Sequence, residues 1–280
     1  MKHFLKWAGG KTQIMEHITK NIPNTINNYH EPFVGGGSVL FKILELKTQN
    51  KIKIQNVFAY DVNEHLINLY NHIKFSYEIF SQLYNYFVSE YHNSTNKSSC
   101  YYKNRELFNN SETNSIQKSV LFLFLNKTCF RGLYREGPHG FNVPYEHNKT
   151  MVVIEMTKHE LESISQTIQD VTFIHCDFSK VFPCLKQNDF VYLDPPYAPE
   201  SNKSFVNYTK NGFSYERHKE LFELIIYAHG KGVNFLLSNA KVNLVTDTFK
   251  DYNIQEIVAR RSIHSKNPDS TTMEVLIGNI

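Results

Sequence analysis

Four consecutive residues give the sharpest chemical signal in this sequence. Asp194, Pro195, Pro196 and Tyr197 follow the apolar stretch Phe190–Leu193, which has the composition of a buried strand. The two prolines carry no backbone N–H and stiffen the turn, so the Asp194 carboxylate and the Pro195 carbonyl are held as acceptors beside an aromatic ring. Two such acceptors suit an amino group on a flat heterocycle, because they localise the nitrogen lone pair for attack on an electrophile.

A second candidate site is a run of three glycines, Gly35, Gly36 and Gly37, which follows a predicted strand ending at Val34. Glycines at such a turn let the backbone approach a ligand closely and present N–H groups where the next helix starts. The spacing is not the dinucleotide fingerprint, since Leu40 stands where its third spaced glycine would fall. The run predicts a ligand-binding turn, although a tight turn alone also explains it.

Two acidic residues stand at the ends of other predicted strands. Asp61 follows the strand Asn56–Tyr60, and Asp177 follows the strand Val171–Cys176. Taken singly, each could be a helix cap or a surface charge. The carboxyl ends of parallel strands meet at one edge of an open sheet, so the two acids and the glycine run would line one crevice of nucleoside size. Asp61 could there accept both hydroxyls of a ribose.

The elements that must position these residues alternate between strand and helix in two parts of the chain. The first 75 residues predict a β-α-β-α order with a helix from Ser38 to about Leu46, and the same rhythm returns from Val171. Between these parts lie Tyr- and Asn-rich stretches and a strongly apolar helix, Ser119–Leu125. An interrupted rhythm of this kind indicates an insertion.

The predicted fold is α/β, with a doubly wound, mostly parallel sheet, a terminal β-hairpin and an inserted, mainly helical subdomain. The hairpin is predicted because only a short connection joins the last two strands, Asn253–Ala259 and Met273–Ile277, whereas a parallel crossover needs about a dozen residues or more. The sheet domain would comprise residues 1–76 and 156–280, and the insert residues 77–155.

Composition bounds the class of protein. The chain has 280 residues and 41% hydrophobic content, which excludes overall disorder. It has no apolar run of membrane-spanning length and no recognisable signal peptide, so we expect a cytoplasmic protein without a membrane partner. Its 30 Lys+Arg and 27 Asp+Glu leave a net charge of +3, which permits nucleic-acid binding without indicating it. Four cysteines without a C-x-x-C pair argue against a disulfide framework or a zinc site.

Five motifs, in this order along nearly the whole chain, resemble the Dam-like family of DNA adenine-N6 methyltransferases. They are the amino-terminal motif Lys6–Lys11, the cofactor motif Glu31–Gly37, the insert signature Phe141–Tyr145, the adenosine-contacting pair Asp177-Phe178 and the catalytic motif Asp194–Tyr197. Five ordered motifs are highly specific.

The resemblance implies S-adenosylmethionine as the cofactor. Trp7 and Lys11 would lie near its methionyl end, Asp61 would take the ribose, and Asp177 would bind the adenine amino group with Phe178 packing on that ring. The implied cofactor-binding set is Trp7, Lys11, Phe33, Gly35, Gly36, Gly37, Asp61, Asp177 and Phe178.

The resemblance also implies how the substrate is held. The target adenine would be flipped out of the duplex and stacked on Tyr197, while Asp194 and the Pro195 carbonyl orient its amino nitrogen for in-line methyl transfer. Neither a metal nor a covalent intermediate is expected. His139 and His147 are expected to be exposed loop residues rather than metal ligands, since no further residues with metal-ligand spacing accompany them.

The insert is expected to read double-stranded DNA. Its candidate contacts are Lys127, Phe130, Arg131, Leu133, Arg135, Asn142 and Pro144. Arginine can pair with both guanine acceptors in the major groove, and lysine and arginine also contact phosphates. In relatives that recognise GATC the position of Arg131 resembles an asparagine, so another four-base palindrome with adenine, such as CATG, is a comparable candidate.

Several alternatives remain open at this point. The same motif chemistry suits an RNA base or a protein amide, and a DNA-binding module without catalysis is a candidate from another class; the glycine spacing disfavours a dinucleotide oxidoreductase. The chain would act as a monomer or weak dimer, with or without a separately acting restriction endonuclease. Residues 198–213 could form a lid or a solvated loop, and Glu274 is expected to be an edge-strand charge.

Overall fold

The computed structural model describes residues 4–147, 155–199, 213–260 and 271–279. In chain order its elements are α1 (Met15–Lys20), β1 (Thr25–Glu31), α2 (Ser38–Thr48), β2 (Lys53–Asp61), α3 (Glu64–Asn93), α4 (Lys97–Asn110), α5 (Ile116–Thr128), β3 (Glu136–Gly137), β4 (Gly140–Phe141), α6 (Lys158–Thr167), β5 (Val171–His175), β6 (Phe190–Leu193), α7 (Tyr215–Gly230), β7 (Asn234–Ala240), α8 (Asn243–Thr248), β8 (Asn253–Arg260) and β9 (Thr271–Gly278). Residues 200–212, most of the loop that could form a lid, lie outside the described residues.

Within the described part of the chain, seven strands form one sheet in the order β5-β2-β1-β6-β7-β9-β8. β1 runs parallel to β2 and β6, and β6 runs parallel to β7. β9 is antiparallel to both β7 and β8, so the last two strands form the predicted hairpin. These pairings confirm the α/β fold with a mostly parallel sheet.

Two element boundaries differ from the predictions for physical reasons. β1 ends at Glu31 rather than Val34, because Pro32 has no N–H to continue the ladder. The last helix of the predicted β-α-β-α order, α3, does not end within the first 75 residues but continues to Asn93, with a non-helical residue at Ser76. Apolar residues recur on one face of α3 on both sides of this break, and tertiary packing preserves the helix through its polar stretches.

Contact density divides the chain into two compact units. The first unit comprises Met1–Gly10, Gly35–Gly37 and Asn63–Phe173, and it contains the long helices α3 to α6 with the small hairpin β3-β4. The second unit comprises Lys11–Val34, Ser38–Val62 and Ile174–Ile280. The predicted insert, 77–155, falls inside the first unit. Among the described residues, no helix has the length and apolar character needed to cross a bilayer.

A buried asparagine joins the amino-terminal segment to α5 in the first unit. Asn126 is 4% exposed, and its amide donates to the Lys6 carbonyl at 2.6 Å and to the Gly132 carbonyl at 3.2 Å. Its side-chain oxygen accepts from the Lys6 N–H at 2.9 Å. The helix α5 extends three residues beyond its predicted end at Leu125, so Asn126 lies within it. Its buried side chain holds the amino-terminal segment against the helix.

We predict that Asn126→Ala lowers the free energy of unfolding by about 1–3 kcal/mol, because it leaves backbone groups that it had paired without partners. Urea denaturation of the variant and the parent measures the difference. The matched control is Asn93→Ala, since Asn93 is an exposed asparagine at the end of α3. Equal loss in both variants would show that the buried hydrogen bonds of Asn126 contribute little.

The sheet also buries a carboxyl group at the end of β1. Glu31 is 2% exposed and accepts a hydrogen bond from the Tyr29 hydroxyl at 2.6 Å. Burial raises the pKa of Glu31 to about 8, although the Tyr29 hydrogen bond acts in the opposite direction. The folded protein therefore holds a proton here that the unfolded chain releases at lower pH.

We predict that the parent loses stability relative to Glu31→Gln as the pH rises from about 4.5 to about 8. In this range the unfolded state binds fewer protons at this carboxyl than the folded state, with a limiting slope of about 1.4 kcal/mol per pH unit. Urea denaturation across this range measures the difference, with the exposed Glu223→Gln as the control. A difference that does not change with pH would mean that Glu31 titrates normally.

Candidate active site

The strand order changes direction between β1 and β6. The strands β2 and β5 lie on one side of β1, and the later strands β6 and β7 lie on its other side. β1 lies between β2 on one side and β6 on the other, which makes the edge beyond β1 and β6 the topological switch point. Ligands of open α/β sheets bind beyond the carboxyl ends of the strands at such a point. The segment Asp194–Tyr197 starts there, directly after the fully buried strand β6.

Asp194 forms a buried ion pair with Lys11. The two side chains approach to 2.6 Å between Nζ and Oδ2, with the lysine side chain 6% exposed and the aspartate side chain 19% exposed. Burial raises the pKa of Asp194 to about 6, the Lys11 ammonium lowers it, and the negative charge of Glu274 raises it further. The carboxylate is thus mostly ionised at neutral pH and can act as a hydrogen-bond acceptor.

Tyr197 is anchored by a residue far away in the sequence. Its hydroxyl donates to Oε2 of Glu274 at 2.9 Å, and the ammonium of Lys11 lies 5.1 Å from the centre of its ring. Glu274 belongs to β9, which lies between β7 and β8, so the expectation of an edge-strand charge is wrong. The hairpin brings this carboxylate next to the catalytic motif.

Two further side chains hold the segment that follows Asp194. Pro195 is buried and Pro196 is exposed, and a ring nitrogen of His218 lies 3.0 Å from the Pro196 carbonyl oxygen. The Ala198 N–H donates to the side-chain oxygen of Asn239 at 2.9 Å. Both side chains are completely buried. Sequence reasoning missed them, although a polar residue at the end of an apolar strand was a usable signal for Asn239.

The carboxylates Asp61 and Asp177 lie at the ends of β2 and β5, as predicted, and both are partly exposed. The Cys176 N–H donates to the Asp61 carbonyl at 3.2 Å, which connects the two strand ends. Asp177 also caps the short helical turn after it, because its Oδ1 accepts from the Ser179 N–H at 3.0 Å. Asp177 is therefore a helix cap, one of the alternatives that the sequence left open, and its carboxylate remains partly exposed.

The rings beside these acids pack mainly on one another. Phe178 has its ring centre 5.5 Å from that of Phe33 and 5.4 Å from that of Phe213. Phe178 is only 3% exposed, so it offers almost no open ring face in this structure. The more exposed Phe33 and Phe213 are better placed to contact a ligand.

In the first unit the glycine run makes room for Trp7. A Cβ atom on Gly35 would lie 2.9 Å from the indole ring, and one on Gly36 would lie 2.7 Å from the Trp7 Cβ. Gly35 and Gly37 also have positive φ angles of 49° and 73°. The glycines are therefore required by the turn and by the indole packed against it, a reason that the sequence did not reveal.

The predicted DNA-contacting segment lies on the surface of the first unit. Phe130 is 39% exposed, Leu133 is half-buried, and the exposed members are Arg131, Arg135, Asn142 and Pro144. The Arg135 guanidinium donates to the side-chain oxygen of Asn142 at 2.6 Å, and that of Arg131 lies 5.1 Å from the Phe130 ring centre. His139 and His147 are exposed as well.

Lys127 is the predicted contact that the structure places elsewhere. It belongs to the last turn of α5 and is 8% exposed, so its ammonium is not presented at the surface. Burial, with a smaller contribution from the charge of Lys6, lowers the pKa of Lys127 to about 8. The apolar helix continues three residues past its predicted end at Leu125, so Lys127 lies in its buried last turn.

Comparison with known proteins identifies the family. The family model of the D12 class N6 adenine-specific DNA methyltransferases matches residues 7–263. The chain is 35% identical to the type II methyltransferase M.MjaIII of Methanocaldococcus jannaschii, over 95% of this chain and 94% of that protein. It is 32% identical to the DNA adenine methylase of Haemophilus influenzae, over 96% and 90% of the two chains. The protein therefore belongs to the D12 class of N6 adenine-specific DNA methyltransferases, the enzyme class predicted from its motifs.

Proposed function

We propose that this enzyme transfers a methyl group from S-adenosylmethionine to the N6 amine of a flipped-out adenine in a short duplex site. The observation that carries the proposal is the ion pair between Asp194 and Lys11, whose ammonium also lies over the ring of Tyr197. This arrangement offers a charged acceptor and an aromatic face together, which is what an amino group on a flat base requires.

Asp194 acts on the nitrogen that is methylated. Its carboxylate accepts a hydrogen bond from the adenine amino group, and the rigid Pro195 offers its carbonyl as the second acceptor. Together they keep the nitrogen lone pair out of conjugation and directed at the electrophile. With a pKa of about 6, the Asp194 carboxylate can also take up the proton that the nitrogen loses after methylation.

Tyr197 provides the surface on which the flipped base stacks. Because its hydroxyl is bound to Glu274, rotation of the ring is restricted, and the base meets a face that is already oriented. The neighbouring contacts from His218 and Asn239 restrict the backbone of the same segment. The protein thereby organises the acceptors before the substrate arrives.

The residues at the carboxyl ends of the strands fit a nucleoside cofactor. Partly exposed carboxylates of Asp61 and Asp177 can accept from ribose hydroxyls and from a purine amino group, and the rings of Phe33 and Phe213 can contact the purine. S-adenosylmethionine, when bound, supplies a methyl group activated on a sulfonium. For Trp7, Lys11 and the glycines Gly35 to Gly37, the assignment to this cofactor depends on the motif resemblance, and Lys11 additionally pairs with Asp194.

The segment between Phe130 and Pro144 is proposed to read the DNA target. Its support is the exposure of two arginines and an asparagine on one short segment, with Arg135 held by Asn142. The target is proposed to be a four-base palindrome of the GATC or CATG type. The type II name of the Methanocaldococcus jannaschii relative supports action in a restriction–modification system, with the endonuclease as a separate protein.

Transfer of a radiolabelled methyl group from S-adenosylmethionine to duplex DNA, RNA or protein tests the proposed function directly. We expect label only in duplex DNA, and digestion to nucleosides should place it in N6-methyladenine. Label in RNA or protein would instead support one of the other substrate classes. No label in any acceptor, with intact DNA binding, would indicate a DNA-binding module without catalysis.

We predict that Asp194→Ala abolishes methyl transfer and leaves cofactor binding mostly intact, because the carboxylate acts on the target amine. A methylation assay and calorimetry on the same preparation measure the two properties, and Asp194→Asn removes the charge but keeps one acceptor oxygen. The exposed Asp251→Ala is the matched control. A variant within about tenfold of the parent, a loss under roughly 1.4 kcal/mol of barrier, would contradict the assigned role.

We predict that at least one of Arg131 and Arg135 reads a guanine edge. Its change to alanine should cost about 1–3 kcal/mol on the cognate site and relax the preference at one base position. Binding to the cognate site, to single-base variants and across a salt series measures this, with the exposed Lys186→Ala as a charge-matched control. Uniform weakening on all sequences, with a salt slope lower by about one, would assign both arginines to phosphates.

A further inference from the structure

Arg217 contacts the predicted cofactor acid, and the motif reasoning did not identify it. It lies in the first turn of α7, where its N–H donates to the capping side chain of Ser214 at 3.3 Å. Its Nη2 donates to Oδ2 of Asp177 at 2.5 Å, and its Nη1 donates to the carboxylate of Glu220. The guanidinium carbon lies 4.2 Å from the centre of the Phe178 ring. Two carboxylates and one ring therefore hold a single guanidinium.

These contacts determine the state of the Asp177 carboxylate. One oxygen accepts from Arg217, and the other accepts from the Ser179 N–H at 3.0 Å. Burial tends to raise the pKa of Asp177, but these hydrogen bonds and the positive charge of Arg217 lower it overall. The carboxylate is therefore ionised, and its side chain is still 38% exposed. A carboxylate has about four acceptor positions, so lone pairs remain for a further donor.

We propose that Arg217 is a positioning residue that directs the Asp177 carboxylate at the 6-amino group of the cofactor's purine. The inference depends on the proposed function, in which Asp177 binds the cofactor. An ionised and oriented carboxylate attracts an amino group and repels a 6-oxo group, whereas a mobile or protonated carboxyl can pair with either. Arg217 would thereby make the enzyme select an adenine cofactor over its hypoxanthine counterpart. Its guanidinium matches this task because its planar fork fixes direction as well as charge.

The test compares S-adenosylhomocysteine with S-inosylhomocysteine, whose purine has a 6-oxo group and a proton on N1 where adenine has a 6-amino group and an unprotonated N1. Calorimetry on the full chain gives both dissociation constants for the parent, Arg217→Ala, Arg217→Lys and Glu220→Gln. We expect the parent to prefer the adenosyl ligand by about tenfold or more, the scale of a hydrogen bond to a charged group. Arg217→Ala should lose most of this preference, chiefly by weaker binding of the adenosyl ligand.

The other two variants distinguish the planar geometry of the guanidinium from its charge, and the effect of Arg217 from that of the neighbouring Glu220 carboxylate. Arg217→Lys keeps a cation on a flexible stem, so its preference should fall between those of the parent and the alanine variant. Glu220→Gln removes the charge of the second partner of Arg217, keeps a side-chain oxygen that can accept from it and leaves the contact with Asp177, so the full preference should remain. Thermal unfolding of each variant verifies that it is folded.

Three results would overturn the proposal. Equal weakening of both ligands in Arg217→Ala would show that Arg217 only supports the local structure. Tighter binding of the adenosyl ligand would show that Arg217 competes with the cofactor for Asp177. An unchanged preference in a folded variant would show that Arg217 plays no part in selection. Failure of the cofactor assignment within the proposed function gives a different result, since the parent itself would then bind neither ligand. Failure of the DNA substrate assignment appears only in the methyl-transfer assay and leaves the binding of both ligands unchanged.

Discussion

The proposed chemistry of this enzyme depends on a buried ion pair between Lys11 and Asp194. Removing a carboxylate from water costs several kcal/mol, and a single opposite charge repays this only when it is close and well oriented. In this site the effect of burial on the pKa of Asp194 exceeds that of the Lys11 ammonium. The pKa rises to about 6 even though the ammonium lies 2.6 Å from the carboxylate. Without Lys11 the carboxyl would be neutral over a wider pH range, and a neutral carboxyl is a poor acceptor. A lysine far from the motif in sequence thus maintains the charge that the motif needs.

The contacts around this pair fix the segment from Asp194 to Ala198. Glu274 holds the Tyr197 hydroxyl, His218 contacts the Pro196 carbonyl, and Asn239 accepts from the next N–H. These three side chains come from β9, α7 and β7, so the sheet and one covering helix fix the segment from different directions. Side chains locked by packing and hydrogen bonds hold reactive groups within the narrow tolerance that catalysis requires.

The segment proposed to read DNA, between Phe130 and Pro144, is held in place in a similar way in the first unit. Tyr101 donates to the Val143 carbonyl at 2.8 Å, and Asn109 forms hydrogen bonds with both backbone groups of Phe141. These contacts from α4 hold the segment by its backbone, so the side chains of Arg135 and its neighbours remain at the surface. A loop that is fixed by its backbone can change its exposed side chains without losing its position.

The sequence by itself determined the family, the alternating sheet and the order of the motifs, because strand periodicity, proline and glycine turns and contiguous motifs are local properties. It did not determine that Lys127 is buried, that the strand of Glu274 lies inside the sheet rather than at its edge, or that Arg217 contacts Asp177. Partners separated by 40 or 77 residues become neighbours only when strands and helices pack, and no local pattern specifies which side chains then face each other. The tertiary structure alone decided these contacts, since burial and pairing of charges depend on the whole surroundings of a group rather than on its neighbours in sequence.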